Sequence, residues 1–177
     1  MRKTFFISAI LLSVLLFSCK KDSASNNSSN GNYSHWALAV TNNYDNGSYT
    51  AHPNNIINAQ SSFDNTSTLS CDGFVDSSGT YTKEVTINIQ FLAKPTASGT
   101  YTIGDPNNLT SSTCSIYLSS ATYNSYTSSS FGQTLNVTVN GGLVTVSFNN
   151  ISLIGTPLTS NTPQWAATVS GTVFEGR

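Results

Sequence analysis

Leu135-Asn136-Val137-Thr138-Val139-Asn140-Gly141-Gly142-Leu143-Val144-Thr145-Val146-Ser147-Phe148 decides the fold class. Apolar side chains fall on alternate residues on both sides of Asn140-Gly141-Gly142. Alternation of two marks a half-buried strand, and Asn-Gly-Gly tolerates the left-handed backbone of a tight reversal. The stretch reads as an antiparallel hairpin with one face inward. The same period recurs through the chain: Trp36, Leu38 and Val40 alternate, as do Val85, Ile87, Ile89 and Phe91. Turn residues at Asp45-Asn46-Gly47, Ser78-Gly79 and Asp105-Pro106-Asn107-Asn108 separate such runs. Further strands are expected over 68–75, 99–103, 114–119, 151–154 and 166–174. Residues 54–63 are the one segment with room for a short helix. The expected fold is therefore all-β: an antiparallel β-sandwich of about eight strands over 34–177, with a small β-barrel as the alternative.

Composition narrows what such a domain can do. Ser, Thr and Asn make up roughly two-fifths of the 177 residues, far above ordinary usage. After residue 33 the basic side chains are Lys83, Lys94 and Arg177, against Asp45, Asp64, Asp72, Asp76, Glu84, Asp105 and Glu175. Nucleic-acid binding is excluded, because it needs clustered Lys and Arg to displace counterions from phosphates. The expected surface is neutral and rich in hydrogen-bonding groups.

The N-terminus supplies an address. Arg2 and Lys3 precede an apolar run from Phe5 to Phe17, which is too short for the roughly 20 residues of a spanning helix. Charged start, apolar core and a small residue at the end together form a signal peptide over 1–18. Leu16-Phe17-Ser18-Cys19 resembles the lipobox of bacterial lipoproteins. That resemblance implies cleavage before Cys19, a diacylglyceryl group on its sulfur and an acyl chain on its amine, and so firm anchorage without a spanning segment. Lys20 stands where inner-membrane retention calls for aspartate, so an outer-membrane address is implied, facing periplasm or cell surface. Residues 19–33 read as the lipidated cysteine and a tether, whose ten residues Ser23-Ala24-Ser25-Asn26-Asn27-Ser28-Ser29-Asn30-Gly31-Asn32 have nothing to bury and span roughly 15 to 20 Å.

Cys19-Lys20-Lys21-Asp22 is also similar to the start of many Bacteroidota lipoproteins, and Asp22-Ser23-Ala24 resembles the three-residue O-glycosylation site of that phylum, which implies modification of Ser23. Gly99-Thr100-Tyr101-Thr102-Ile103-Gly104, Val144-Thr145-Val146-Ser147-Phe148 and Val169-Ser170-Gly171-Thr172-Val173-Phe174 resemble, in layout, uncharacterised β-rich lipoproteins of that group. The resemblance implies fold and anchorage and transfers no activity.

With Cys19 lipidated, Cys71 and Cys114 remain, an even pair in an oxidising compartment, and a disulfide between them is expected. Two separate buried thiols are the alternative. No Cys-x-x-Cys spacing, Gly-x-Ser-x-Gly elbow, metal-ligand spacing or cofactor fingerprint is present, so no cofactor, metal or catalytic set is expected. His35 and His52 read as surface or capping residues. A non-catalytic binding or structural envelope module leads, with a glycan-binding accessory protein as the alternative and a carbohydrate-active hydrolase behind both. Aromatic candidates are Trp36, Tyr44, Tyr49, Tyr117, Tyr123, Tyr126 and Trp165, of which Trp36 and Trp165 are expected to fill the core or cover sheet edges. Tyr123-Asn124-Ser125-Tyr126 is the expected exposed aromatic pair, with Asn124 between to hydrogen-bond a sugar. The partners expected are the membrane through Cys19 and either a glycan or an envelope protein.

Overall fold

A computed structural model of the chain describes residues 33–41, 45–51, 62–64, 67–77, 80–121, 124–157 and 164–176. The signal, Cys19, the tether and Ser23 lie outside these residues, as do Tyr44, His52 and Tyr123. Eleven strands run in chain order: β1 His35–Val40, β2 Gly47–Thr50, β3 Ser62–Asp64, β4 Thr68–Ser77, β5 Thr80–Phe91, β6 Gly99–Ile103, β7 Thr113–Ser120, β8 Asn124–Ser128, β9 Thr134–Asn140, β10 Leu143–Pro157 and β11 Trp165–Phe174. The described residues contain no helix, and the all-β expectation holds. Of the segment with room for a helix, Ser62 and Phe63 belong to β3 and 54–61 lie outside the described residues.

All eleven strands belong to one hydrogen-bonded sheet. Its pairing path runs β11, β1, β2, β4, β5, β7, β6, β9, β10 and returns to β11, with β8 bridging β7 and β10 and β3 beside β4. The sheet closes on itself around one core, a pattern compatible with a flattened sandwich and a rounded barrel alike. Pairing is antiparallel throughout except for the short β6–β7 contact.

The opening hairpin is β9 and β10, with Asn140 opposite Leu143. Gly141 and Gly142 have φ of 59° and 79°. Two successive positive values match the type I′ turn, whose twist suits flanking strands and which side chains with a Cβ resist. The strand expected over 151–154 is instead the second half of β10. The register slips between Phe148 and Ile151, where Asn150 takes φ 50°, so a bulge rather than a break separates the halves.

Alternation is what builds the core. Val85, Ile87, Ile89 and Phe91 on β5 are each 1% exposed or less, and Ile116 and Leu118 of β7 face them from the next strand. Burying each such side chain contributes about 1.5–3 kcal/mol. Tryptophan and glycine then share space across strands. Trp36 of β1 stands opposite Gly171 of β11 on one side and Tyr49 of β2 on the other, with its indole stacked 6.1 Å from the Tyr49 ring. The far edge of that indole occupies the space a side chain at Gly73 of β4 would need. Trp165 of β11 lies in the same way over Gly155 of β10.

The expected disulfide is not formed. Cys71 on β4 pairs with Ile87 of β5, whereas Cys114 on β7 pairs with Phe91 of β5. They therefore stand two strand spacings apart across the sheet, roughly 10 Å, and four residues apart along it, roughly 13 Å. A bridge needs Cα atoms within roughly 7 Å. Both cysteines are buried and not bridged to one another, so the alternative of two packed thiols is what the fold holds. Burial alone pushes the Cys114 thiol from 9.0 up to about 12, which keeps it protonated and poorly nucleophilic. Iodoacetamide at neutral pH is expected to leave both unmodified in the native chain and to alkylate both in urea. A mass unchanged in urea after reagent treatment, with a disulfide seen on reduction, would restore the bridge.

Candidate functional site

The residues expected to bind a ligand serve a different purpose. Tyr126 of β8 is fully buried, not exposed. Its hydroxyl donates to Asp45 Oδ2 at 2.6 Å, and Asn124 Nδ2 donates to the same oxygen at 2.7 Å. Tyr49 Oη donates to the Asp45 backbone carbonyl at 2.5 Å. Asp45, 1% exposed in the connection between β1 and β2, thus gathers three partners from β2 and β8. A buried carboxylate is tolerable only when donors surround it. The price of that arrangement falls on the phenols: burial first, and Asp45 second, raise both Tyr49 and Tyr126 well above the ordinary tyrosine value. The cluster is an internal clasp, and it corrects the expectation of Tyr126 as a surface ring.

Trp36 and Trp165 are likewise not platforms. Trp36 is 1% exposed, and both indole Nε1 atoms are buried without a hydrogen-bond partner among the described residues. His35 is exposed with Nδ1 2.9 Å from the Tyr33 carbonyl, in keeping with a surface residue.

An open site lies on the outer face of β4, β5, β7 and β8. With Leu69, Cys71, Ile87, Ile89, Ile116, Leu118 and Tyr126 inward, the residues between them must point out. The register aligns Ser70, Asn88, Tyr117 and Thr127 in one row across the four strands. Two residues along, Thr68, Gln90 and Ser115 form a second row. A groove of about 690 Å³ runs over these rows, within the usual range for ligand sites. Its lining includes Tyr117 and Phe131, which are 38% and 65% exposed. Among the described residues, no charged side chain lines it.

The groove is held ready by its surroundings. Ser70 Oγ donates to Asn88 Oδ1 at 2.6 Å, which turns the Asn88 amide nitrogen to the side away from Ser70. Phe131 sits in the loop between β8 and β9, where Gly132 takes φ 91°. Gln133 fixes that loop, donating through Nε2 to Ser130 and accepting at Oε1 from the Ser152 amide at 2.8 Å. Pro106 forms the rim from the turn after β6, where Asp105 Oδ1 accepts the Asn107 amide at 2.9 Å and Oδ2 accepts Asn108 Nδ2. The Asn88 amide and the backbone that carries Phe131 are thus set before binding, which lowers the freedom lost on binding.

One row beyond the groove, Asp72 accepts from Thr86 at 2.7 Å. Partial burial and the neighbouring Asp72 charge raise Glu84 above the usual carboxylate value. Both acids stand on the same face of β4 and β5 as the groove rows.

Of the sequence candidates among the described residues, Tyr117 alone lies in this groove; Asn124 and Tyr126 lie in the clasp. Phe131, Asn88 and Gln90 were missed. Their signals were present: Phe131 is a lone aromatic within Ser128-Ser129-Ser130-Phe131-Gly132, and Asn88 and Gln90 are the amides that alternate with Ile87 and Ile89. Compared with protein families, curated proteins and solved structures, the chain matches none.

Proposed function

We propose that this chain is an outer-membrane lipoprotein, anchored through lipid on Cys19, whose folded domain works by binding rather than by catalysis. The observation that carries the reading is the groove of about 690 Å³, whose described lining carries no charge, with Tyr117 and Phe131 exposed along it. Two of the four exposed large hydrophobic residues among those described converge there, which is how binding surfaces differ from scattered surface apolar groups. Leu16-Phe17-Ser18-Cys19 and the tether supply the anchorage and keep the domain clear of the lipid surface.

The test uses the full chain, made in a bacterial envelope, extracted in detergent and fixed to beads. Wild-type beads are expected to retain solubilised envelope material that Tyr117→Ala/Phe131→Ala beads release. Equal retention by both would remove the groove from the function. A hydrolytic reading has one supporting feature, Glu84 raised by partial burial and the neighbouring Asp72, since glycosidases work with a pair of carboxyl groups. Release of reducing ends from a bound polysaccharide, abolished by Glu84→Gln, would establish it in place of binding alone.

A further inference from the structure

The geometry points to a neutral polysaccharide as the ligand of the outer-face groove, and this inference rests on the binding reading above. A pyranose ring has an apolar face of C–H groups and an edge of hydroxyls that both donate and accept. Tyr117 and Phe131 offer flat apolar rings, and Tyr117 adds a hydroxyl. Asn88 and Gln90 offer amides, the side chains that donate and accept at once. The pair of amides stands on β5, beside Tyr117 and Ser115 of β7 respectively, so each sugar hydroxyl meeting one row finds another donor or acceptor one strand away.

Dimensions favour a chain over a single sugar. From Thr68 and Ser70 on β4 to Thr127 on β8 the rows cross three strand spacings, roughly 14 Å. That is longer than one pyranose, so the groove has room for more than one sugar unit.

Charge selects the class of glycan. Acidic sugars, phosphates and sulfates are held by Arg or Lys, which give charge-assisted hydrogen bonds to anionic oxygens. The described groove lining has neither, and Asp72 and Glu84, acids on the same face of β4 and β5, would repel an anion. A protein partner fits less well. A specific protein interface needs roughly 800 Å² on each side, a larger and flatter surface than a groove of this size offers.

The experiment is isothermal titration of the extracted full chain with three neutral polysaccharides, xylan, mannan and a mixed-linkage β-glucan, beside acidic polygalacturonate. At least one neutral polymer is expected to bind, and polygalacturonate is not. Tyr117→Ala and Phe131→Ala are each expected to weaken binding about tenfold, the loss of one stacked ring. Because these rings are exposed, their removal leaves the core untouched; circular dichroism and the urea midpoint check that each variant is folded. Tyr117→Phe keeps the stacking surface and is expected to retain most of the affinity. With no charge in the groove, binding is also expected to change little between low and high salt.

The outcomes separate the two readings. Envelope material retained through Tyr117 and Phe131, but released by protease and not matched by any neutral polymer, would overturn the polysaccharide and leave the binding module standing with a protein partner. Preferential binding of polygalacturonate would overturn the neutral assignment. Failure to retain any envelope material would overturn both.

Discussion

Gly171→Ala is expected to destabilise the chain by about 3 kcal/mol, the upper end of the usual overpacking range. The residue stands at the junction of β10, β11 and β1, opposite Phe148 on one side and Trp36 on the other. A Cβ built there would lie 2.6 Å from the Trp36 Cα and nearer still to the His35 carbonyl oxygen. A flexible side chain can swing away from such a contact. The backbone of a paired strand cannot, so β1 must move off β11 and the sheet opens where its first and last strands meet. Gly99→Ala is the control, since nothing lies within 4 Å of a Cβ there. Urea unfolding followed by tryptophan fluorescence reads the difference. A Gly171→Ala midpoint equal to wild type would mean that the β1–β11 pairing is not as close as described.

Tyr126→Ala is expected to cost about 3–5 kcal/mol, the range for deleting a buried aromatic ring. It removes a fully buried side chain and leaves Asp45 without its shortest side-chain donor. Tyr126→Phe isolates the second part, because the ring stays and only the hydroxyl goes; about 1.5–3 kcal/mol is expected for a hydrogen bond to a charged group. If Tyr126→Phe costs nothing, Asp45 is satisfied without it and the clasp is not a stabilising unit.

The clasp also predicts how the chain responds to alkali. Both phenols are raised above 10.0 in the folded state, by burial and then by Asp45, and return to the ordinary value on unfolding. For a group raised in this way the contribution is complete below the unfolded value and is lost as the pH climbs beyond it. Stability is therefore expected to hold through neutral pH and to fall from about pH 10 upward, and more shallowly in Tyr126→Phe. A midpoint as high at about pH 11 as at about pH 8 would show that the phenols are in contact with water.

How far the sequence carried this reading depended on the kind of signal each part leaves. The hairpin of β9 and β10, and the inward rows of β5 and β1, were legible because an apolar residue every second position leaves one interpretation. β8 was not. Asn124-Ser125-Tyr126-Thr127-Ser128 has a single apolar side chain, too few to show a period, and it is a strand because β7 and β10 both pair with it. The exposure of Tyr126 was misread for the same reason: the carboxylate that receives its hydroxyl is 81 residues away. The disulfide expectation weighed compartment and parity, and register is invisible to both; one intervening strand and four residues of offset decided against it. The groove was half legible. Polar residues between Ile87 and Ile89 had to face outward, but which loop ring would stand over them is a matter of topology.

The meeting of β1 with β11 has a consequence for how the molecule comes into being. His35 pairs with Thr172, so the first strand made waits for the last. At roughly 5–20 residues per second, that interval lasts roughly 7 to 27 s. Throughout it β1 offers an open row of backbone donors and acceptors, with Trp36, Leu38 and Val40 uncovered beside them. Ribosome-released fragments lacking the final ten residues would carry that hazard permanently. The finished protein has hidden its stickiest strand, and its danger of clumping belongs to its birth rather than to its working life.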